Sequence, residues 1–325
     1  MFKWIAGFLC AFGIGLTTCE ASTASWPVRP VKVIVPYQAG GLGDVLARLV
    51  TEQFTQTFKQ SFVVENRAGG GGTIGSNALA RSEPDGYTIG VSSLGTHVFM
   101  PALNAQLPYD PLKDFTHIGS LGGVPTVLVS NATGRIQALS ELKTLLASSN
   151  NGLSYGTAGV GTHGQVITEL FLQKAGRSIP LVPFKGGSDV IMALLGNHIP
   201  LASGTLGSAA AHIRAGSLRG LAISTAERSK AFPDIPTFAE LGYPDIVSLN
   251  WYGLAGPAGM PQDIVKALNA ELLRVMSSQD ITRRLADDDI VAQALSESQF
   301  QAFVAAELEK WAPILRAISS KTKPQ

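Results

Sequence analysis

The sequence predicts an α/β protein in two lobes, and three observations support this. Its 325 residues are more than one domain usually contains. From Val31 onward, short β-branched segments alternate with amphipathic helical segments, a pattern typical of parallel sheets covered by helices. Four glycine-rich turns, at 36–44, 91–97, 156–165 and 202–210, each lead from a strand into a helix. Two belong to the first part of the chain and two to its middle, as expected for two lobes that face each other across a cleft.

Residues 1–24 have the layout of a secretory signal peptide. Lys3 precedes an apolar run from Trp4 to Leu16, and Ser22-Thr23-Ala24 forms a small-x-small cleavage site. The apolar run is shorter than the roughly 20 residues that a membrane-spanning helix needs. We therefore expect the protein to be exported to the periplasm.

Both cysteines of the chain lie in this leader. Cleavage after Ala24 removes Cys10 and Cys19, so the mature chain has no thiol for a disulfide or a metal site. Cys19 follows Leu16 at the spacing of a lipidation site, but Thr18 is a poor residue before a lipidated cysteine. A lipid anchor at Cys19 is therefore the less favoured alternative.

The residue pattern predicts the elements of the mature chain in order. Seven segments are expected as strands: VKVIV (31–35), SFVVE (61–65), YTIGVSS (87–93), TVLVS (126–130), LSYGT (153–157), IPLVPF (179–184) and LRGLAIS (218–224). Apolar residues at helical spacing predict helices around 45–58 and 166–171. After Pro261 the pattern is almost entirely helical. One stripe of the last helix is expected in the core: Phe300, Phe303, Val304, Trp311 and Leu315.

Composition and motifs exclude several classes of function. Charged residues make up 15% of the chain and the formal net charge is +1, so nothing indicates a surface for nucleic acid. The sequence contains no G-x-S-x-G, H-E-x-x-H or G-x-x-x-x-G-K-[ST] motif, and its five histidines lack metal-ligand spacing. We expect no catalysis, no cofactor and no metal.

One glycine motif keeps an enzyme open as an alternative. Gly70–Gly75 fits G-x-G-x-x-G, the turn that opens the first helix of dinucleotide-binding folds. Four residues separate it from the strand ending at Glu65, and no acidic residue ends a strand about 20 residues later, where a ribose needs one. A flexible or hairpin-like turn is the simpler interpretation.

The four glycine-rich turns have the chemistry of an anion site. Glycine allows the backbone to approach a ligand closely. The first N–H groups of a helix are unpaired, and the helix dipole places about half a positive charge there. In open parallel sheets, ligands bind beyond the carboxyl ends of the strands, where all four turns fall. We therefore expect backbone N–H groups to hold an anion.

Side chains in these turns also have a simpler interpretation. Several could be helix caps instead of ligand contacts: Asp44, Ser93, Thr96, Thr162 and Thr205. Lys185 could meet a ligand carboxylate across the cleft, or it could be a solvated loop residue.

Seven segments spread over the mature chain share the pattern of one known family. They are WPVRPVKVIVPYQAGGLGDVLARL, VVENRAGGGGTIGSNALARSEPDGYTI, GTHVFMPALNAQLPYDPLKDFTHIG, VPFKGGSDVIMALLGNHI, AAHIRAGSLRGLAIS, AFPDIPTFAELGYP and WYGLAGPAGMP. In these segments the chain resembles the extracytoplasmic solute-binding proteins of tripartite tricarboxylate transporters, the Bug or TctC-type receptors. The likeness covers essentially the whole mature chain.

The resemblance implies a type II periplasmic-binding fold, in which two α/β lobes close on a small ligand about crossover strands. It implies a monomeric receptor, not an enzyme, that works with membrane transporter subunits. The family's ligand is usually a carboxylate held by backbone amides, hydroxyls and water. Carried onto this sequence, the ligand-binding positions are Gly40, Gly41, Asp44, Ser93, Thr96, His97, Gly161, Thr162, Lys185, Gly186 and Thr205.

Departures from the family pattern concentrate in the second lobe. Gln165 stands where many members carry histidine, Pro200 where aspartate is frequent, and Gly204 where aspartate or alanine is frequent. These positions bear on what lies beyond the anchored carboxylate. The ligand therefore stays open among dicarboxylates, tricarboxylates, amino acids and aromatic acids.

The expected organisation is a signal peptide at 1–24, a first lobe at 26–123 plus 250–325, and a second lobe at 124–249. The expected function is capture of a small organic acid or amino acid between the lobes. Two alternatives remain at this point: a nucleotide-dependent α/β enzyme and a periplasmic sensory binding module.

Overall fold

The computed structural model describes residues 26–104, 106–148, 152–287 and 289–322. The strands in these ranges are β1 (Val31–Val35), β2 (Phe62–Asn66), β3 (Thr88–Ser93), β4 (Phe115–Asn131), β5 (Tyr155–Thr157), β6 (Leu181–Pro183), β7 (Leu201–Thr205), β8 (Leu218–Ile223) and β9 (Leu249–Pro257). The helices are α1 (Leu42–Phe58), α2 (Thr73–Ala80), α3 (Met100–Leu103), α4 (Leu139–Ala147), α5 (His163–Lys174), α6 (Gly187–Leu195), α7 (Leu206–Arg214), α8 (Gln262–Met276), α9 (Gln279–Asp287) and α10 (Glu297–Thr322).

The predicted signal peptide at 1–24, with Cys10 and Cys19, lies outside the described residues. Among the helices that are described, none combines the length and the apolar character needed to cross a membrane.

The strands form one mixed sheet in the order β2-β1-β3-β9-β4-β7-β5-β6, with β8 also paired to β4. β1 runs parallel to β2 and β3, and β5 runs parallel to β6 and β7. β4 and β9 run antiparallel to all their neighbours. The expectation of purely parallel sheets is therefore wrong at these two strands, because they carry the chain directly from one half of the sheet to the other instead of returning through a crossover helix.

β4 is the strand that joins the two halves. Its residues Phe115–Pro125 pair with β9, and its residues Thr126–Asn131 pair with β7 and β8. The chain thus crosses near 125–126 and returns at the start of β9. The lobe boundaries predicted at 123/124 and 249/250 lie beside these points, and the exact boundaries stay a prediction.

Each half has an aliphatic core, and a third cluster packs where the halves meet. In the first half, Val33 of β1, Leu46 of α1 and Leu268 of α8 are fully buried in one cluster. In the second half, Val127 of β4 and Leu206 of α7 are equally buried in another.

The third cluster contains the inner side of α10. Phe300, Val304, Trp311 and Leu315 are buried and Phe303 is partly buried, which confirms the predicted stripe. Trp311 meets Phe99, which follows β3, with ring centroids 6.0 Å apart. The same cluster includes the buried side of α5. The C-terminal helix therefore packs against both halves beside the crossing strands.

Candidate functional site

Strand pairing brings the turns of both halves to one place along β4. In the first half, Ser93 at the end of β3 pairs with Tyr252, and Tyr252 pairs with Gly122 of β4. In the second half, Thr205 at the end of β7 pairs with Thr126 of β4. An extended strand covers the four steps from Gly122 to Thr126 in about 13 Å. The two sets of turns are therefore separated by roughly the length of a small organic acid.

Asp44 organises the first turn, between β1 and α1. Its side chain is buried, and its Oδ2 accepts hydrogen bonds from the N–H of Gly40 and the Nε of Arg48, both at 2.9 Å. Its Oδ1 accepts a hydrogen bond from Nδ2 of Asn66 at 2.9 Å. The hydrogen bond from Arg48, with those from Gly40 and Asn66, lowers the pKa of Asp44 to about 2. Because an ionised carboxylate repels an anion, this geometry favours Asp44 as the residue that shapes the turn over Asp44 as a ligand contact.

The open donors of this turn lie at the start of α1. The N-cap residue is Gly41, and no side chain caps the helix. The N–H of Gly40 is taken by Asp44, and that of Gly41 is directed at the carbonyl of Gln38 at 3.3 Å. The N–H groups of Leu42 and Gly43 are the next in line, and the first N–H groups of a helix have no intrahelical acceptor. The geometry therefore favours Leu42 and Gly43 over the two glycines chosen from the sequence.

Gly43 is required by the two tyrosines that pack over this turn. A Cβ at Gly43 would lie 3.1 Å from the ring of Tyr37 and 3.1 Å from that of Tyr252. Glycine therefore lets the start of α1 approach both rings, and a Cβ would require the rings to move by a few tenths of an ångström.

The second turn, after β3, is tied to the first by a hydroxyl network. Ser93 Oγ accepts a hydrogen bond from the N–H of Thr96 at 3.2 Å and lies 3.1 Å from Thr96 Oγ1. The hydroxyl of Tyr37, in the first turn, is hydrogen-bonded to Ser93 Oγ. Burial raises the pKa of Tyr37, so this phenol stays neutral. The structure thus brings Ser93 and Thr96 together with the first turn, and their contact with a ligand stays a prediction.

His97 lies in the core beneath this turn. Its ring is fully buried, with its centroid 4.6 Å from that of Phe115, and its Nδ1 lies 2.9 Å from Thr96 Oγ1. Burial, and then the nearby His117, lower the pKa of His97 well below its ordinary value, so the ring is neutral. This position does not support the predicted contact between His97 and a ligand, because the ring packs among aromatic side chains.

Several polar groups of the turn after β5 form hydrogen bonds with one another. Thr162 is the N-cap of α5: its Oγ1 accepts a hydrogen bond from the N–H of Gln165 at 3.5 Å and donates to the carbonyl of Gly159 at 2.9 Å. The Oε1 of Gln165 accepts a hydrogen bond from the N–H of Gly161 at 2.7 Å. Gly161 and Thr162 are therefore engaged within the turn, and the simpler interpretation of Thr162 as a helix cap fits this geometry.

α6 and α7 begin at the same edge without a cap. Their N-cap residues are Gly186 and Thr205, and neither helix start receives a capping hydrogen bond from a side chain. Ser208 Oγ in the first turn of α7 donates to the carbonyl of Thr205 at 2.7 Å, which leaves the N–H groups of this turn open. Lys185 precedes Gly186 and is exposed. The second half thus offers two open helix N-termini and one exposed cation.

A buried network at the crossing was missed by the sequence analysis. His163 lies 2.8 Å from Thr126 Oγ1 through Nδ1 and 2.9 Å from Ser248 Oγ through Nε2. Ser224 joins the same two segments, since its Oγ accepts from the N–H of Thr126 at 2.9 Å and donates to the carbonyl of Ser248 at 2.8 Å. No local motif marks these residues, because they meet only where β4 and the approach to β9 run side by side.

The family follows from comparison with known sequences. The model of the tripartite tricarboxylate transporter family receptor matches residues 46–320. The chain belongs to this receptor family. BugT of Bordetella pertussis is 32% identical to it over 320 residues, which cover 97% of this chain and 98% of BugT.

Solved receptors have the same fold. A structure described as a periplasmic transporter is 31% identical with a TM-score of 0.79, and the match covers 92% of this chain and 99% of that one. An R. palustris protein solved with adipate is 30% identical with a TM-score of 0.79, covering 90% and 97%. MatC from Rhodopseudomonas palustris, solved with bound malate, is 31% identical with a TM-score of 0.76, covering 89% and 100%. The two-lobed α/β periplasmic-binding fold and the expectation of a receptor are confirmed.

Membership in a family of solute receptors removes the dinucleotide-dependent enzyme as an alternative, and the glycine motif has a packing explanation. The flexible or hairpin-like turn expected here is a turn, but it leads into a helix and not into a second strand: glycines 69–72 all have positive φ and form a short turn into α2. A Cβ at Gly75 would lie 2.7 Å from the carbonyl oxygen of Arg67 and 2.8 Å from Cα of Pro36. Glycine at this position lets α2 pack directly on the backbone that follows β1.

Proposed function

We propose that this receptor is exported and captures a small carboxylate between its two lobes for a tripartite tricarboxylate-type transporter. The observation that carries the proposal is that three helices begin without a cap beside the strands that pair with β4 where it joins the two halves. The start of α1 packs on Tyr252, which pairs with Gly122 of β4, and the starts of α6 and α7 lie against each other beside Thr205, which pairs with Thr126. Such N-termini bind anions through backbone N–H groups and the helix dipole.

The charge of the site also suits a carboxylate. Asp44 neutralises Arg48 within the turn, at 2.9 Å, so the donors left at α1 are backbone groups. Lys185 is exposed beside α6 and can approach an anion from the second lobe. The relatives solved with adipate and malate provide independent support for this ligand class.

In this arrangement the N–H groups of Leu42 and Gly43 bind the carboxylate from the first lobe, beside the hydroxyls of Tyr37 and Ser93. The first N–H groups of α6 and α7 bind it from the second lobe. His97 lies in the core beneath the second turn, Asp44 is buried within the first turn, and neither contacts the ligand.

The proposal is tested with matched pairs of acids and their amides. Thermal unfolding and isothermal titration calorimetry are measured with straight-chain and aromatic carboxylates and with the corresponding primary amides, which have the same shape without the charge. We expect at least one acid to raise the melting temperature strongly, since a ligand at one hundred times its Kd stabilises the fold by about 2.7 kcal/mol. Its amide should bind at least tenfold more weakly. Equal binding of acid and amide, or stabilisation by dinucleotides alone, would contradict the proposal.

Delivery to a transporter is tested separately by capture on the immobilised receptor in the presence and absence of the bound acid. Capture of integral membrane subunits that depends on the acid supports transport. Capture of a signalling protein in their place favours the sensory alternative.

A further inference from the structure

The second lobe contains an apolar cavity behind the uncapped helix starts. It has a volume of about 130 Å³ and lies beneath the first turns of α6 and α7. Its floor is formed by buried aliphatic side chains: Val127, Val129, Val190, Ile191, Ala202 and Ala209. Its partly exposed rim is formed by Ala158, Gly187, Gly204, Thr205 and Ser208. The cavity therefore opens at the edge where the proposed carboxylate lies.

None of the residues that line this cavity carries a charge. The hydroxyl of Ser203 donates to the carbonyl of Gly164 at 2.9 Å, and that of Ser208 to the carbonyl of Thr205 at 2.7 Å. Lys185 and Asp189 are exposed nearby and do not line the cavity. A second carboxylate inside it would lose its hydration without gaining a partner, which is strongly unfavourable. An apolar group would gain from burial.

The size and the rim of the cavity set the shape of this group. Apolar cavities of about 150 Å³ accept a benzene molecule, so this slightly smaller one fits a short aliphatic chain or a compact ring. Glycines keep its entrance open. A Cβ at Gly204 would lie 3.4 Å from Ser208 Oγ, and a Cβ at Gly187 would lie 3.4 Å from Ser208 Cβ.

We propose that the ligand is a monocarboxylate whose carboxyl group lies at the rim and whose uncharged, apolar tail fills this cavity. The inference rests on the proposed function for the carboxylate end. It assigns the cavity beneath α6 and α7 as the part of the site that selects against a second charged group.

The main competing arrangement places a second carboxylate at the exposed Lys185. It is tested by calorimetry with pairs that share a carbon number: butanoate with succinate, and hexanoate with adipate. Benzoate is added as the compact ring. We expect the monocarboxylate of each pair to have a Kd at least tenfold lower than that of the dicarboxylate.

Two variants at one position test whether the tail enters the cavity. Gly204 has a backbone conformation open to other residues, and a Cβ there would make an ordinary contact with Ser208 Oγ at 3.4 Å, so Gly204→Asn and Gly204→Asp should both fold, as checked by circular dichroism. The two side chains have nearly the same shape and differ in charge. We expect both variants to raise the Kd for hexanoate at least tenfold more than the Kd for acetate, which carries the same charge but has no tail to place in the cavity.

The possible outcomes distinguish failure of the apolar-tail proposal from failure of the proposed carboxylate-receptor function. Dicarboxylates that bind as tightly as their monocarboxylate partners, or Gly204 variants that raise the Kd for hexanoate and acetate equally, overturn the apolar-tail proposal and leave a carboxylate receptor. If no acid of either series binds or raises the melting temperature, both proposals are overturned.

Discussion

A single buried carboxylate determines the shape of the first turn. Asp44 is 3% exposed and accepts hydrogen bonds from Gly40, Arg48 and Asn66. Asp44→Asn removes the charge and points an amide N–H at one of these donors. We expect the free energy of unfolding in urea to fall by about 2 kcal/mol, in line with the drop in the pKa of this carboxyl to about 2.

The lowered pKa of Asp44 sets the pH range in which its carboxylate stabilises the fold. Because Asp44 is ionised in the fold below its ordinary pKa, its contribution is complete above about pH 4 and is lost as the pH falls toward about 2. Asp280→Asn is the matched control, since Asp280 forms an ion pair with Arg283 on the surface with its side chain 89% exposed. It should change stability by less than about 0.5 kcal/mol. Equal losses in the two variants would contradict this role of Asp44.

Thr162 tests whether a hydroxyl in the third turn acts as a cap or binds ligand. Thr162→Val removes the oxygen that accepts from Gln165 and donates to Gly159. We expect a loss of about 1 kcal/mol in the free energy of unfolding, the usual cost of losing an N-cap. Thr162→Ser keeps the oxygen and should recover most of the loss. A tenfold weaker affinity for the carboxylate in Thr162→Val, with stability unchanged, would instead identify Thr162 as a ligand contact.

At the scale of elements, most strands that belong to strand–helix units could be predicted from the sequence. β7 (Leu201–Thr205) is missed, because most of its residues fall in the glycine-rich segment 202–210, which the sequence predicts as a turn. The segments 31–35, 61–65 and 87–93 overlap β1, β2 and β3, and 218–224 contains β8. The first half of β4 and all of β9 could not be predicted. Glycines 119, 122 and 123 interrupt the pattern of β4, and both strands are buried on both faces, so no alternation marks them.

The candidate site also has features that the local sequence predicts and features that it does not. Glycine-rich turns that lead into helices are local features, so the sequence located the turns of α1, α5 and α7 and the turn after β3. Which N–H group of a turn stays free depends on side-chain hydrogen bonds that the local pattern does not report. Asn66 donates to Asp44, and Gln165 accepts from the N–H of Gly161. The burial of His97 against Phe115 depends on how β4 packs, and no local pattern reports it.

The crossing of β4 and the approach to β9 depends on a hydrogen bond that one substitution removes. Ser248→Ala leaves the buried Nε2 of His163 without its partner at 2.9 Å. We expect the free energy of unfolding to fall by about 1–3 kcal/mol. Ser298→Ala, on the exposed start of α10, should change it by less than about 0.5 kcal/mol. A Ser248→Ala protein as stable as the control would show that the crossing does not depend on this bond.

Over the whole molecule, three buried histidines should make the protein sensitive to mild acid. Burial lowers the pKa of His163 to about 3 and that of His117 to about 4, and holds that of His97 well below its ordinary value. Below about pH 6.5 the unfolded chain takes up protons at these residues and the folded chain does not. Stability is therefore complete above this pH and falls as the pH drops toward about 4, by roughly 1.4 kcal/mol per pH unit for each histidine.

Urea unfolding at pH 7, 6 and 5 measures this dependence. Carboxylates such as Asp44 titrate mostly below this range, so they contribute little to the slope. A free energy of unfolding that stays constant from pH 6.5 to pH 5 would contradict the assignment of these histidines as buried and neutral.

The proposal that two lobes of one receptor hold a small carboxylate where β4 joins them is tested by native mass spectrometry of the protein released from the periplasm, without refolding. We expect a complex with one organic acid per chain, lost on denaturation and identified by its mass. A stoichiometric nucleotide, or a molecule without a carboxyl group, in its place would show that the cleft does not bind a carboxylate.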